Sequence, residues 1–222
     1  ASGLNNVGIF NEDEERDQQV DVFLFDFDWG IGDNGIVMSS QTSWLEYDKH
    51  DILDPDMSSF AVFVGERYED FEQFSQEIRF SSPEDQPLAW MVGAYYQEHD
   101  LTTSIQVHLP WTFDIPNFLF GAPPNPANNG FSAISFGGPL VENSKWTSFF
   151  FSTTLNVSDT FRFNVGGRHQ NIEKTGTENP QVARLPIGGT AFQPLSALGA
   201  PVSGKIESSD FLPEVGFQWD VS

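Results

Sequence analysis

The clearest pattern along the chain is a two-residue alternation in 71–83. Phe74, Ile78 and Phe80 fall on one face of a strand, and Gln73, Ser75, Glu77 and Arg79 fall on the other. The polar side carries a carboxylate and a guanidinium two residues apart, in a run flanked by strands rich in Phe and Trp. That combination suits a wall with lipid on one side and a polar lumen on the other. The same period recurs in 19–28, 36–48, 68–82, 88–105, 145–157, 160–174 and 208–222, which predicts about seven strands. The sharpest hairpin joins 145–157 to 160–174. Phe149, Phe151, Leu155 and Val157 share a face of its first strand, and Phe161, Phe163 and Val165 share a face of its second. Arg162, Asn164, Gly166 and Arg168 take the opposite face.

The connections carry as much information as the strands. Short turns are expected near 29–35, where Asn34-Gly35 is the strongest signal, and at 83–87 and 156–160. Long, Pro-, Gly- or acid-rich loops are expected at 49–67, 106–143 and 175–206, and the acidic run 11–17 reads as a solvated loop. Short and long connections alternate, as they do when every second turn faces the periplasm and the others face outside. The expected fold is therefore all-β, an antiparallel up-and-down transmembrane β-barrel segment. An odd strand number leaves open edges, so 1–222 reads as one slice of a larger barrel.

Composition narrows the function classes. Ten Lys and Arg against 32 Asp and Glu give a net charge of −22, which repels phosphate backbones and argues against nucleic-acid binding. There is no Cys, so disulfide frameworks, thiolate metal sites and Cys nucleophiles are excluded. No apolar run approaches the roughly 20 residues of a membrane-spanning helix, which is still compatible with a helix-free membrane protein, because barrel strands hide their hydrophobicity in alternation. The 22 Phe and six Trp fit aromatic girdles at strand ends, although Phe also favours strands in general.

Four blocks then carry a family resemblance. The stretch 74–83 (FSQEIRFSSP) is similar to the barrel strand written FSQE-(L/I)-R-(L/F)-x-S-P in TonB-dependent outer-membrane receptors, and 88–96 (LAWMVGAYY) resembles the strand that follows it. The segments 147–159 and 161–168 (FRFNVGGR) resemble that family's FxQxxYxLTDxLxLxxGxRY hairpin, and 211–220 (FLPEVGFQWD) resembles its FxPKVGLxYDLS strand. Here His169 stands in place of Tyr and Glu214 in place of Lys. Order and spacing match as well. The resemblance implies the β-barrel portion of such a receptor, with no counterpart of its plug domain or TonB box, from the middle of a barrel of 22 strands. It implies energy-coupled uptake of a scarce nutrient such as a ferric siderophore, in the outer membrane of a Gram-negative bacterium. Its partners would be outer-membrane lipid, the missing plug and remaining strands, the TonB complex through that plug, and a small ligand. A self-contained small outer-membrane barrel or adhesin is the alternative, and a soluble acidic β-protein is a third reading.

The chain shows no nucleophile elbow, phosphate loop or paired-carboxylate signature, so an enzyme is not expected, and no cofactor is expected. His50, His99, His108 and His169 are scattered, which argues against a metal or catalytic site. Asp48, Asp51, Asp54 and Asp56 crowd a segment with His50 that reads as a solvated acidic loop. The lumen-facing candidates are Gln73, Ser75, Glu77, Arg79, Arg162, Asn164 and Arg168. For Glu77, Arg79, Arg162 and Arg168, charge laddering between strands is preferred to ligand contact. Trp111, Phe113, Phe118, Phe120 and Phe131 in the longest loop are candidate ligand contacts.

Overall fold

The structure, a computed structural model, describes residues 15–53, 64–110, 131–158, 160–186, 193–197 and 199–220. Nine strands are formed among the described residues: β1 (Glu15–Ile31), β2 (Ile36–Leu53), β3 (Val64–Ser81), β4 (Leu88–Pro110), β5 (Phe131–Ser158), β6 (Phe161–Glu178), β7 (Gln181–Pro186), β8 (Gln193–Ala197) and β9 (Val202–Trp219). They make one sheet in the order β1-β2-β3-β4-β5-β6-β9, with β7 on β5 and β8 on β7. Every pairing is antiparallel. The all-β, up-and-down architecture expected from the alternation is present. Among the described residues the sheet is open, because β1 and β9 do not pair with each other.

The seven long strands of the main path match the seven expected, but each is longer than the hydropathy pattern indicated. The run 49–67, read as a loop, is strand up to Leu53 and again from Val64. The expected loop 106–143 is strand up to Pro110 and from Phe131, and 175–206 contains the end of β6, all of β7 and β8, and the start of β9. Glu15, Arg16 and Asp17, read as part of a solvated loop, open β1. The reason is common to these segments. Their alternation is not apolar against polar, so hydropathy does not register it. The backbone ladder holds them instead, joined by cross-strand ion pairs at Asp51, Glu66 and Glu142.

The short turns lie together at one end of the sheet and are tied to one another. Gly32 and Gly35 close the β1–β2 turn with φ of 65° and 69°, a region open to glycine at little steric cost. A Cβ on Gly35 would sit 2.7 Å from Pro83 Cγ in the neighbouring β3–β4 turn. The Asn156 side chain donates to the carbonyls of Glu84 (3.1 Å) and Gln86 (2.6 Å), and its backbone N–H donates to Pro87 O (3.0 Å). At the opposite end, β6 hands its place beside β5 to β7. Pro139 lacks the N–H that a continuing ladder would use, and its carbonyl accepts from Asn179 N at 3.0 Å. Gly137 at φ 148° lies where a Cβ would run into the Ile105 carbonyl, so the change of neighbour requires glycine there.

The distribution of burial is the reverse of that in a soluble domain. Among the described residues the side chains that are fully buried are those of Asp51 and Ser148, both polar, whereas Phe149, Val215, Phe217 and Trp219 are 67–75% exposed. In a water-soluble sheet one face buries its aromatics against a second layer. Among the described residues there is no second layer, since every strand belongs to the single sheet.

Candidate functional site: a wall with two faces

Register divides the sheet into two faces, because cross-strand partners share a side and successive residues alternate. On the first face, β1 presents Phe23, Phe25, Phe27, Trp29 and Ile31 opposite Trp44, Thr42, Ser40, Met38 and Ile36 of β2. The same band continues as Phe74, Gln76, Ile78 and Phe80 on β3, then as Trp90, Val92, Ala94 and Tyr96 on β4. It ends with Phe149, Phe151 and Leu155 on β5, Phe161, Phe163 and Val165 on β6, and Phe211, Val215, Phe217 and Trp219 on β9. Trp44 meets Phe74 edge-on at 6.4 Å between centroids, and Phe74 lies 6.4 Å from Tyr96, forming an aromatic row at one margin of the band. From Ile36 to Trp44 the strand rises roughly 26 Å at about 3.3 Å per residue, and a tilt of about 40° reduces this to about 20 Å.

Inside this band the Ser40, Thr42 and Gln76 side chains satisfy one another. Thr42 Oγ1 donates to Gln76 Oε1 at 2.6 Å, and Gln76 Nε2 donates to Ser40 Oγ at 2.9 Å and to Glu77 O at 3.0 Å. Immediately beyond the aromatic row the face becomes acidic. Asp21, Glu46, Glu72 and Asp100 follow one another across four strands, and Asp48 stands opposite Asp70. Like charges placed opposite each other are unfavourable, and the Asp70 carboxyl is raised above its usual range, chiefly by its hydrogen bond with Asp48.

The second face carries the reverse arrangement. Gln73, Ser75, Glu77, Arg79, Arg162, Asn164 and Arg168 all lie on it, by register through β3, β4, β5 and β6. At the depth of the apolar band it carries polar groups, with Asp26, Gln41, Ser43, Ser148 and Gln218 also present, together with the rings of Tyr95, Trp146 and Phe150 around Arg168. Beyond that depth it becomes apolar and aromatic, with Tyr47 stacked on Phe71 at 5.0 Å and Phe71 5.4 Å from His99. Near the short turns Arg162, Asn164 and Gln218 line an open groove with Glu84 and Asp85.

Two charge clusters pin the part of the sheet farthest from the short turns. Asp51, read as solvated, is buried. It receives Arg67 (Nη2, 2.6 Å), Arg16 (Nε, 2.8 Å) and Lys49 (3.1 Å), and Lys49 also reaches Glu69 at 3.2 Å. Burial alone would raise the Asp51 carboxyl. The hydrogen bonds from Arg67, Arg16 and Lys49 outweigh burial and hold it well below the usual carboxylate range. Asp54 and Asp56 lie outside the described residues. On the first face Glu66 collects His50 (2.9 Å), His108 (2.8 Å) and the Tyr68 hydroxyl, so two of the scattered histidines converge on one carboxylate. Burial and the Glu66 hydrogen bond push the Tyr68 hydroxyl up to about 12. Among the described residues no group of His, Asp and Glu is arranged to hold a metal ion.

The expected charge laddering among Glu77, Arg79, Arg162 and Arg168 is absent from the described residues. Arg79 approaches Glu77 on its own strand at 3.8 Å, and cross-strand pairing is made instead by Lys174 with Glu142 (2.6 Å) and Lys205 with Glu173 (3.1 Å). Two-residue spacing keeps Glu77 and Arg79 on one strand face but does not bring an opposite charge from the neighbouring strand. Arg168 has another environment. Its guanidinium lies 5.2–5.7 Å from the ring centroids of Trp146, Phe150 and Tyr95, with Nε and Nη2 both donating to Ser148 Oγ. The loop candidates Trp111, Phe113, Phe118 and Phe120 lie outside the described residues, and Phe131 opens β5.

No protein-family model and no curated protein matches the chain. Among solved structures, the chain is similar to the ferric yersiniabactin uptake receptor FyuA from Yersinia pestis, with a TM-score of 0.59 and 13% identity over 94% of this chain. The match spans 26% of the length of that receptor. At that identity the likeness is one of fold, that of a β-barrel wall.

Proposed function

We propose that this chain is part of the wall of an outer-membrane β-barrel, with lipid against the first face and the lumen against the second. The observation that carries this is the change of polarity of the first face at one level. The exposed apolar band gives way, just beyond its aromatic row, to carboxylates on four successive strands. A bilayer margin requires that change of the outer face, and a sheet wet on both sides has no reason to make it. The aromatic row at the margin and the internally satisfied Ser40–Thr42–Gln76 group support the same reading.

The finer reading is uptake. The chain resembles TonB-dependent receptors in four motifs, and its fold is similar to part of FyuA, a ferric yersiniabactin uptake receptor. In such a receptor the second face would meet a plug and a scarce nutrient such as a ferric siderophore, and the TonB complex would act through the plug. The open edges of β1 and β9 favour a larger barrel over a self-contained small one.

The test is lipid contact, position by position. A nitroxide at 149, 151, 163 or 217 is expected to relax with lipid-soluble oxygen. One at 150, 152, 164 or 218 is expected to relax with a water-soluble nickel chelate. The same accessibility on both sets would refute the two-faced wall. Growth on the ferric siderophore as sole iron source, compared with a deletion strain, tests uptake separately.

A further inference from the structure

We propose that Arg168 and the rings around it form a preassembled seat for a carboxylate presented from the lumen. The proposal deepens the reading of the second face as lumen and rests on it. Three features of the same spot carry it.

The first is that the guanidinium is held in place. Trp146, Phe150 and Tyr95 surround it at 5.2–5.7 Å, and Tyr95 meets Trp146 edge-on at 5.6 Å. Glycine 93 makes this possible, because a Cβ there would collide with the Phe150 ring that lies across it. Tyr95 is fixed in turn by its hydroxyl, which donates to Gln97 Oε1 at 2.6 Å. A side chain with this many restraints loses little freedom when it binds.

The second is that its charge is unanswered. Nε and Nη2 both end on Ser148 Oγ, at 3.0 and 2.8 Å, and that hydroxyl is neutral and 2% exposed. Aromatic faces attract a cation but offer no acceptor in the plane of the fork. Among the described residues no carboxylate lies within ion-pair distance of Arg168, although the chain carries 32 acidic side chains. By contrast Arg16, Arg67 and Lys174 each have a carboxylate partner.

The third is a second donor without an acceptor. Trp146 Nε1–H is buried and makes no hydrogen bond among the described residues. A buried donor left open beside an uncompensated guanidinium points to an acceptor that arrives with a partner. A planar carboxylate fits the free edge of the guanidinium, with the flanking rings excluding water.

The carboxylate could belong to a free small molecule or to a polypeptide segment filling the lumen. The test is performed on the protein labelled with 5-fluorotryptophan in micelles, with the Trp146 signal assigned by Trp146→Phe. Benzoate is titrated against benzamide, which has the same shape without the charge. A saturable shift with benzoate alone is expected, with an apparent Kd raised at least about 10-fold by Arg168→Gln and restored in part by Arg168→Lys. This supports the seat with a free carboxylate as its source, whether or not the preparation imports anything. A seat already filled from the polypeptide gives no benzoate shift. In that case a photo-crosslinker at position 97 captures an acid-bearing segment, and the capture is lost in Arg168→Gln. An equal response to benzamide, a benzoate response unchanged in Arg168→Gln, or neither response nor capture overturns the proposal.

Discussion

The Ser40–Thr42–Gln76 group gives the sharpest test of what lies against the first face. Thr42→Val removes the hydroxyl that donates to Gln76 Oε1 at 2.6 Å, and it leaves the Gln76 carbonyl without the partner that faces it. In lipid no water can take that place, so the loss is expected to be about 1–3 kcal/mol, roughly a 5- to 150-fold change in the folding equilibrium. In water the carbonyl would be hydrated and the same change would cost under about 0.5 kcal/mol. Replacing both partners reverses the sign. In a Ser40→Ala background, which avoids stranding the Ser40 hydroxyl that Gln76 Nε2 serves, Thr42→Val with Gln76→Leu removes the orphaned acceptor and adds an apolar side chain beside Phe74 and Ile78, so stability should return to that background's value or exceed it. The predicted coupling is therefore at least about 1 kcal/mol in the double-mutant cycle. Urea titration of folding into phospholipid vesicles, followed by tryptophan emission and by gel mobility without boiling, measures each corner. Additive effects, or a double variant weaker than Thr42→Val alone, would refute lipid contact at this site.

Three further outcomes follow from other parts of the sheet. Asp51→Ala leaves Arg16, Lys49 and Arg67 facing one another and should cost about 3–5 kcal/mol, chiefly through Arg67, because Arg16 is largely exposed. Since the Asp51 carboxyl is held below its usual value, its contribution is complete above about pH 4 and is lost as pH falls through the lowered value; an acid-denaturation curve unchanged in Asp51→Asn would contradict this. Gly35→Ala combines a positive φ with Pro83 Cγ at 2.7 Å and should lose about 1–3 kcal/mol, whereas Gly30→Ala, with open space around it, should lose less than about 1 kcal/mol, as read by parallel urea titrations. Asn156→Ala removes the bonds to the Glu84 and Gln86 carbonyls; with both open to water the cost should be about 0.5–1.5 kcal/mol, and faster hydrogen exchange should be confined to the turns at 82–87 and 156–160.

Within the band, alternation of Phe and Ile or Val against Ser, Gln and Arg assigned the faces of β3, β5 and β6 from sequence, because one side chain in two meets a different solvent. Asn34-Gly35 and the Pro-bounded turn at 83–87 marked the reversals for steric reasons that are local to them. Beyond the band both faces are mixed. The strand character of 49–53 depends on Asp51 meeting Arg67 and Arg16, which lie 16 and 35 residues away in the chain, and no local pattern encodes such a meeting. The same limit explains the histidines. His50 and His108 converge on Glu66 only once β2, β3 and β4 are in register. Arg168 was legible as a residue of the second face, but its cage was not, since Gly93, Phe150 and Trp146 come from two other strands.

These levels of the sheet constrain one another. If the first face met water, Phe149, Val215 and Phe217 would be exposed aromatic and aliphatic surface with no layer to cover it, a liability that soluble sheets avoid. If the second face met lipid, Glu77, Arg79, Arg162 and Arg168 would stand in hydrocarbon with one 3.8 Å ion pair among them. One assignment removes both conflicts, and it puts the uncompensated guanidinium of Arg168 in the lumen, where a carboxylate can reach it. The acidic rows then lie outside the bilayer margin, where water screens the repulsion that Asp48 and Asp70 relieve by sharing a hydrogen bond. The position of the charges along each strand, more than their number, makes a chain of net charge −22 compatible with a membrane.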